Sequence, residues 1–269
     1  MGKMYVIRSG GIAMEIQLIR HATVVINIAG RKILLDPMLS GAGTMSAVPG
    51  VANTSDNPLV DLPVDSGSLI NAEAVIVTHT HRDHFDDTAM QILPHDMQLF
   101  CRPVDEEKIR AAGFTNVQSI EKTGEWNGIT INRTSGRHGT GEMGEKMGPV
   151  SGFVLQTENE PTLYIAVDTI WCAEVKDALE TYNPQLVLCF AGAARFSSGD
   201  PITMTKEDIV QVCQHAPTAK VIVVHMEAWN HCTLSRQELK QYSAGKNLDR
   251  QVCVPDDGEW VRMPATPSL

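Results

Sequence analysis

The sequence predicts an α/β protein built on mixed sheets, and three observations predict it. Strand-like runs crowd the first part of the chain, later runs alternate with helical segments, and several apolar runs stop at a histidine or an aspartate. In order, the first runs are "MEIQLI", "VVINIA" and "RKILLD", rich in the Ile, Leu and Val that suit strands packed on a core. "NIAGRK" puts Asn and Gly at a hairpin turn between the second and third. "AVIVTH", "MQLFC", "GITINRT", "GFVLQT" and "LYIAVD" follow, with "EWNGIT" in another hairpin-like position. "QLVLCF", "KVIVVH" and "QVCVP" complete the set.

The helices are marked by their ends. "VDEEKIRAAGF" stops at Gly113 and "AEVKDALETYNP" at Pro184. "TKEDIVQVCQHAP" has Thr205 as N-cap with Asp208 three residues on, and "LSRQELKQYSAG" opens with the capping box Ser235-x-x-Glu238. The 269 residues carry no tandem repeat, low-complexity tract or obvious linker, and read as one domain with residues 1–13 as a candidate N-terminal extension. The stretch from Ser40 to Ser68, rich in Gly, Pro, Ser and Asp, is either a lid or binding loop or a surface excursion, and residues 139–149 pose the same choice.

Composition narrows the function classes. A formal charge of −10 without clustered Lys and Arg argues against a nucleic-acid partner, and leaves small anionic substrates open. No run approaches the ~18 unbroken apolar residues of a membrane span, and the N-terminus lacks the pattern of a secretory signal. Six scattered cysteines without a C-x-x-C suit reduced thiols, so a cytoplasmic location is expected. A homo-oligomer is left open.

The densest chemistry lies in "AVIVTHTHRDHFDD", Ala74 to Asp87. Side chains two apart on an extended chain point the same way, so His79 and His81 can offer two imidazoles to one point. The chain must then turn, which lets Asp83 and His84 face a second point nearby. Neutral imidazole and carboxylate are ligands that Zn²⁺ and its first-row relatives accept. A satisfied structural histidine would explain one of these residues, but not the run. Other apolar runs end in the same kind of side chain: Asp36 after "RKILL", His138 after "GITINRTSGR", Asp168 after "LYIAV" and His225 after "AKVIVV". If the strands' C-terminal ends share one edge of the sheets, these side chains converge.

This pattern resembles the metallo-β-lactamase superfamily, over nearly the whole chain from "MEIQLI" to "QVCVPDDGEW". Within it, "LLDPML" and "VVHMEAWNHC" are similar to features of the compact stand-alone hydrolases near the ascorbate-6-phosphate lactonases. The resemblance implies a four-layer αββα sandwich. It puts His79, His81 and His138 on one divalent metal, Asp83, His84 and His225 on a second, and Asp168 between them, with Asp83 and Asp168 as the catalytic carboxylates. Asp36 is read as an outer partner that fixes a ligand imidazole. The lactonase-like members carry a Trp/Gly-type stretch where this chain has "IRHAT", which weakens transfer of the lactonase substrate; His21 and His231 either face substrate, as donors or proton shuttles, or serve a polar structural role. Arg195, in "AGAARFSSGD", is either an anchor for a carboxylate or phosphate, which its planar fork grips bidentately, or a salt-bridged surface residue.

Two dications, two aspartates and one hydroxide leave a net charge of about +1, suited to an anionic substrate or a developing oxyanion. The expected reaction is hydrolysis of a small, anionic ester, lactone or phosphoester by a hydroxide shared between two metals. Zn²⁺ or Mn²⁺ is the expected ion, with Fe²⁺ chemically acceptable. The competing class is a non-haem iron redox enzyme on the same fold.

Overall fold

A computed structural model describes residues 12–264 of the chain. The N-terminal extension expected over 1–13 therefore lies outside the described residues as far as residue 11, and its last two residues open the first strand.

The first sheet is built from β1 (Ile12–Arg20), β2 (Thr23–Ile28), β3 (Arg31–Leu35), β4 (Ala74–Val77), β5 (Gln98–Cys101) and β6 (Val117–Ser119). The second takes β7 (Thr123–Trp126), β8 (Ile129–Arg133), β11 (Phe153–Gln156), β12 (Leu163–Val167), β13 (Leu186–Phe190), β14 (Lys220–Val224) and β15 (Val252–Cys253). Between them in the chain, β9 (Gly136–Arg137) and β10 (Pro149–Val150) form a small ribbon of their own. The last strand, β16 (Trp260–Pro264), returns to the first sheet and pairs with β1. In each sheet three antiparallel pairings are followed by three parallel ones.

The residues explain the layering. Along β2, Val24, Ile26 and Ile28 face the apolar layer between the sheets, while Val25 faces the opposite side. Along β12, Leu163, Ile165 and Val167 face that inner layer, and Tyr164 and Ala166 the other side. Alternation with period two puts successive side chains on opposite faces. Because both faces are covered, the sequence there reads as a continuous apolar run rather than a polar/apolar alternation. Helices α1 (Asp87–Ile92) and α2 (Glu106–Ala111) cover the first sheet, through Ala89 and Ile109. Helices α4 (Ala173–Tyr182), α5 (Lys206–His215) and α6 (Arg236–Gly245) cover the second, through Val175, Leu179, Ile209, Val212 and Leu239. A short α3 (Gly141–Met147) lies in the loop after His138. The result is the four-layer αββα sandwich.

The helix ends follow the sequence closely, with one difference. Thr205 and Asp208 form the reciprocal capping box at α5. At α6 only half of the expected box forms: Ser235 Oγ accepts from the Glu238 N–H at 3.2 Å, but the Glu238 carboxylate turns to Lys206 Nζ at 2.5 Å. A charge-assisted contact outcompetes a neutral backbone donor. Strands β6, β7, β9, β10 and β16 are short or polar, and their sequences carry little strand signal.

Topology delivers the functional edge. β1 and β3 are each antiparallel to β2, and β4 is parallel to β3, so all three run the same way. Their C-terminal ends deliver His21, Asp36 and His79 to one edge. β8 and β12 are each antiparallel to β11, and β13 and β14 run parallel to β12, which brings His138, Asp168 and His225 out together.

Candidate metal centre

Four of the strand ends at this edge are bent sharply. The φ angle is 58° at His21, 42° at Asp36, 50° at Val167 and 65° at His225. Left-handed backbone costs an L-residue about 1–2 kcal/mol. Four such residues at one edge mark a place where backbone conformation serves side-chain placement.

Three groups of ligand-type side chains meet there: His79, His81 and His138; His21, Asp83, His84 and His225; and His79, His84 and Asp168. His79 Nε2 is 3.0 Å from His81 Nδ1. Asp168 lies between the first two groups. Its Oδ2 is 3.2 Å from His84 Nε2 and 3.5 Å from His138 Nε2, and its Oδ1 is 3.3 Å from His225 Nε2. Asp83 Oδ2 is 3.2 Å from His21 Nε2 and 3.6 Å from the Nε2 atoms of both His84 and His225.

Two atoms test whether a cation belongs here. Asp168 Oδ1 and His225 Nε2 are buried, 3.3 Å apart, and neither makes a hydrogen bond. Buried polar groups almost always find partners. Atoms this close yet misaligned as donor and acceptor have the arrangement of two ligands on a common ion, and the nitrogen and oxygen donor set fits a divalent one.

Outer contacts aim the imidazoles. Asp36, fully buried, accepts from His84 Nδ1 at 2.8 Å and from the Thr78 N–H and Oγ1 at 2.7 Å each. Thr78 Oγ1 thereby has its proton committed and accepts from His79 Nδ1 at 3.1 Å. His138 Nδ1 donates to the Ile202 carbonyl at 2.7 Å. With Nδ1 engaged as donor, Nε2 of His79, His84 and His138 keeps a free lone pair turned inward. Cys232 Sγ stands behind His225, 3.7 Å from its Nδ1.

The electrostatics follow from crowding. Burial works against charge on Asp83 and Asp168, but the surrounding imidazoles, His84 and His225 among them, outweigh it and hold both carboxyls well below the usual range. Burial also disfavours charge on the histidines. It is outweighed at His84, whose pKa is raised well above the ordinary value by Asp168, Asp83 and Asp36, and at His225, raised to about 10 chiefly by Asp168. At His79, His81 and His138 burial wins and the pKa falls, and at His21 it falls to about 3. A cation at this place would displace the protons on His84 and His225.

Asp36→Asn gives a direct check on the outer contacts. The amide keeps the shape but loses the charge that holds His84 in one tautomer, so affinity for a divalent ion should fall by about 10–100-fold. Chelator competition measures this, and unchanged retention would mean that His84 is oriented by something else.

A pocket of about 350 Å³ opens onto the cluster, with His81, Asp83, His138 and Asp168 at its base. Val48, Met147, Phe196, Ile202 and Trp229 supply apolar wall, and His231 a polar one. The loop from Ser40 to Ser68 is docked, and its tip supplies Val48. Asn230 Oδ1 accepts from the Val48 N–H and from Asn57 Nδ2, while Asn230 Nδ2 donates to the Asn53 carbonyl. At the base of the loop, the buried Arg20 donates to the carbonyls of Met38, Ser40 and Val60. Arg82 donates to the Ser46 carbonyl and stacks 5.6 Å over Trp229. The second loop folds into α3, which ends in Met147 at the pocket wall.

Of the residues singled out in the sequence, His79, His81, Asp83, His84, His138, Asp168 and His225 come together, with Asp36 against His84. His231 lines the pocket, its Nδ1 unpartnered and its pKa lowered to about 4 by burial. Two placements differ from the substrate-facing roles read from the sequence. His21 is fully buried among the cluster, outside the pocket lining, because the tight β1–β2 turn folds it inward. Arg195 is exposed and outside the lining, and its neighbour Phe196 takes the pocket face instead. Sequence reading missed the apolar wall entirely, since Val48, Met147, Phe196 and Trp229 come from four separate segments. The one available signal was Trp229 and Asn230 in "HMEAWNHC", next to a ligand-type histidine.

Two face-to-face sheets with a buried His/Asp cluster at one edge define the metallo-β-lactamase class of metal-dependent hydrolases. The sequence model of the Beta-lactamase superfamily domain matches residues 31–226, and the chain belongs to that superfamily. It is 40% identical over 250 residues to the UPF0173 protein YddR of Bacillus subtilis, covering 91% of this chain and 98% of that one. Among solved structures it is similar to an isothiocyanate hydrolase from Delia radicum gut bacteria, with TM-score 0.90 and 36% identity over 94% of this chain and all (100%) of the other. A possible metal-dependent hydrolase from Veillonella parvula matches with TM-score 0.90 and 35% identity over 94% and 100% of the two chains. Among the described residues, no helix is long and apolar enough to cross a membrane.

Proposed function

We propose that this hydrolase binds two divalent ions, Zn²⁺ or Mn²⁺, and cleaves small apolar electrophiles of the isothiocyanate kind. His79, His81 and His138 would hold one ion and Asp83, His84 and His225 the other, with Asp168 shared. Ions held there supply Lewis acidity and a water that ionises near neutral pH.

The observation that carries the substrate class is the pocket wall. Five apolar side chains line it, and among the described residues the one Lys or Arg in the lining, Arg82, is already engaged with Ser46 and Trp229. Val48, Met147, Phe196, Ile202 and Trp229 suit an alkyl or aryl group, whereas a carboxylate or phosphate would meet no free fork. The exposed position of Arg195 weakens the anionic ester or phosphoester expected from the sequence. The similarity to an isothiocyanate hydrolase at 36% identity points the same way.

The chemistry balances as R–N=C=S + H₂O → R–NH₂ + COS. Water oxygen bonds to the central carbon, that carbon releases nitrogen as the amine, and both water protons end on nitrogen. Asp83 and Asp168, at the pocket base, orient the water, and the apolar wall excludes bulk solvent. His231, outside the cluster with Nδ1 unpartnered, is placed to pass a proton to the departing nitrogen.

The test is a substrate panel with metal-loaded protein: benzyl isothiocyanate, a lactone, a phosphodiester and a thioester. Amine and carbonyl sulfide should form from the first in equal amounts, with the highest kcat/KM of the panel. In ¹⁸O-labelled water the label should appear in carbonyl sulfide without O₂ or an electron donor. A lactone or phosphodiester turned over faster would overturn the substrate class, and a requirement for O₂ would overturn hydrolysis itself.

A further inference from the structure

The two halves of the cluster are unequal. On the outer side stand three imidazoles, of which His81 and His138 line the pocket. On the inner side stand His21, Asp83, His84 and His225, whose three imidazoles are fully buried and none of which lines the pocket. Asp168 adds an oxygen to each side. The outer half thus has four protein donors and an open front. The inner half has five, of which only the two carboxylates, Asp83 and the shared Asp168, line the pocket.

We infer that His21 is a metal ligand that closes the inner position with protein donors, leaving the outer position as the one where water and substrate exchange. This rests on the two-metal reading above. Sites that serve structure are filled by protein, and sites that turn over keep a position open.

Three features of His21 support ligation. Its Nε2 lies 3.2 Å from Asp83 Oδ2, longer than the 2.7–2.9 Å typical of a charge-assisted hydrogen bond. Ligand atoms at about 2.0–2.2 Å from a shared ion stand roughly 3.3 Å from one another, which matches this separation and those of Asp168 from His84 and His225, 3.2 and 3.3 Å. Second, the ring is pinned in place. It packs against the His225 ring with centroids 3.7 Å apart, and the His21 carbonyl accepts from the His225 N–H at 2.9 Å. Third, His21 occupies the first position of a two-residue hairpin loop with φ at 58°, where glycine is the easy residue. A buried histidine in a glycine-favouring position is explained by what its side chain does.

The competing role, a hydrogen bond donated to Asp83, predicts different outcomes. His21→Gln keeps a donor for Asp83 but cannot replace an imidazole ligand. In native mass spectra and chelator competition, one of two ions should be lost, its dissociation constant rising more than about 100-fold, beyond the 10–100-fold typical of a lost outer partner. The second ion should be retained. His21→Cys, loaded with Co²⁺, should recover the inner ion and show a sulfur-to-cobalt charge-transfer band in the near ultraviolet that the wild type lacks. Two tightly held ions in His21→Gln, or no such band in a folded, cobalt-loaded His21→Cys, would overturn the inference and leave the two-metal centre standing. Wild-type protein that binds no ion, or fewer than two, would instead fail the reading beneath it.

Discussion

Asp168→Ala should abolish turnover and leave the protein unable to hold its full complement of metal. The carboxylate is 2% exposed and contacts both halves of the cluster, through Oδ2 to His84 and His138 and through Oδ1 to His225. Among the described residues no other carboxylate does so, since Asp83 contacts only the inner set. Without it, His84 and His225 lose the carboxylate that most favours their protonated forms, and Asp83, 3.6 Å from each, is the anion left beside both rings. Breaking a buried charge cluster by removing one partner typically costs 3–5 kcal/mol, roughly. Activity should therefore fall by more than the ~10²–10³-fold that follows loss of a single transition-state contact. Elemental analysis after dialysis gives the metal count, and circular dichroism separates metal loss from unfolding. A folded variant with two ions and kcat/KM near wild type would remove Asp168 from the centre of the site.

Phe190→Ala should cause the largest loss of stability among single substitutions near the site. Phe190 ends β13, is fully buried, and belongs to the apolar layer between the sheets. Its ring also lies flat beneath the cluster, 5.5 Å from the His225 ring at 15° and 5.8 Å from that of His84. Truncation leaves a cavity where the two sheets and two imidazoles meet. The expected loss is about 3–5 kcal/mol, a drop in Tm on the order of 10 °C for a chain of this size. Phe190→Leu, which refills most of the volume, should recover more than half of it. Val104→Ala, at a residue 70% exposed, should stay within about 0.5 kcal/mol of wild type. Thermal and denaturant unfolding of the three variants make the comparison. A Phe190→Ala protein as stable as Val104→Ala would mean that the inter-sheet layer is not close-packed at this edge.

The sequence by itself determined the layers and the strand ends. Buried strands must be apolar on both faces, so "AVIV", "LYIAV" and "KVIVV" were legible as strands, and a polar residue at the end of each stood out. Helix stops at Gly113 and Asn183–Pro184 were legible for a local reason, since they depend on backbone conformation at one or two residues. H-x-H-x-D-H was legible because its spacing alone brings four ligand-type groups together.

Tertiary structure alone decided the depth and direction of each side chain. Nothing in "IRHAT" distinguishes a histidine turned toward substrate from one turned into the cluster, because the choice depends on which surface packs against a two-residue turn. The same holds for Arg195 and Phe196, neighbours on one loop whose outward and inward placements follow from how the loop meets His231, whose carbonyl accepts from the Arg195 N–H. The pocket wall was least legible of all. Val48, Met147, Phe196 and Trp229 lie far apart in the chain, and apolar residues in loops carry no periodicity that would announce a shared surface. Short-range spacing is written in the order of residues, but convergence across a fold is set by packing, and the polarity of this pocket was a matter of convergence.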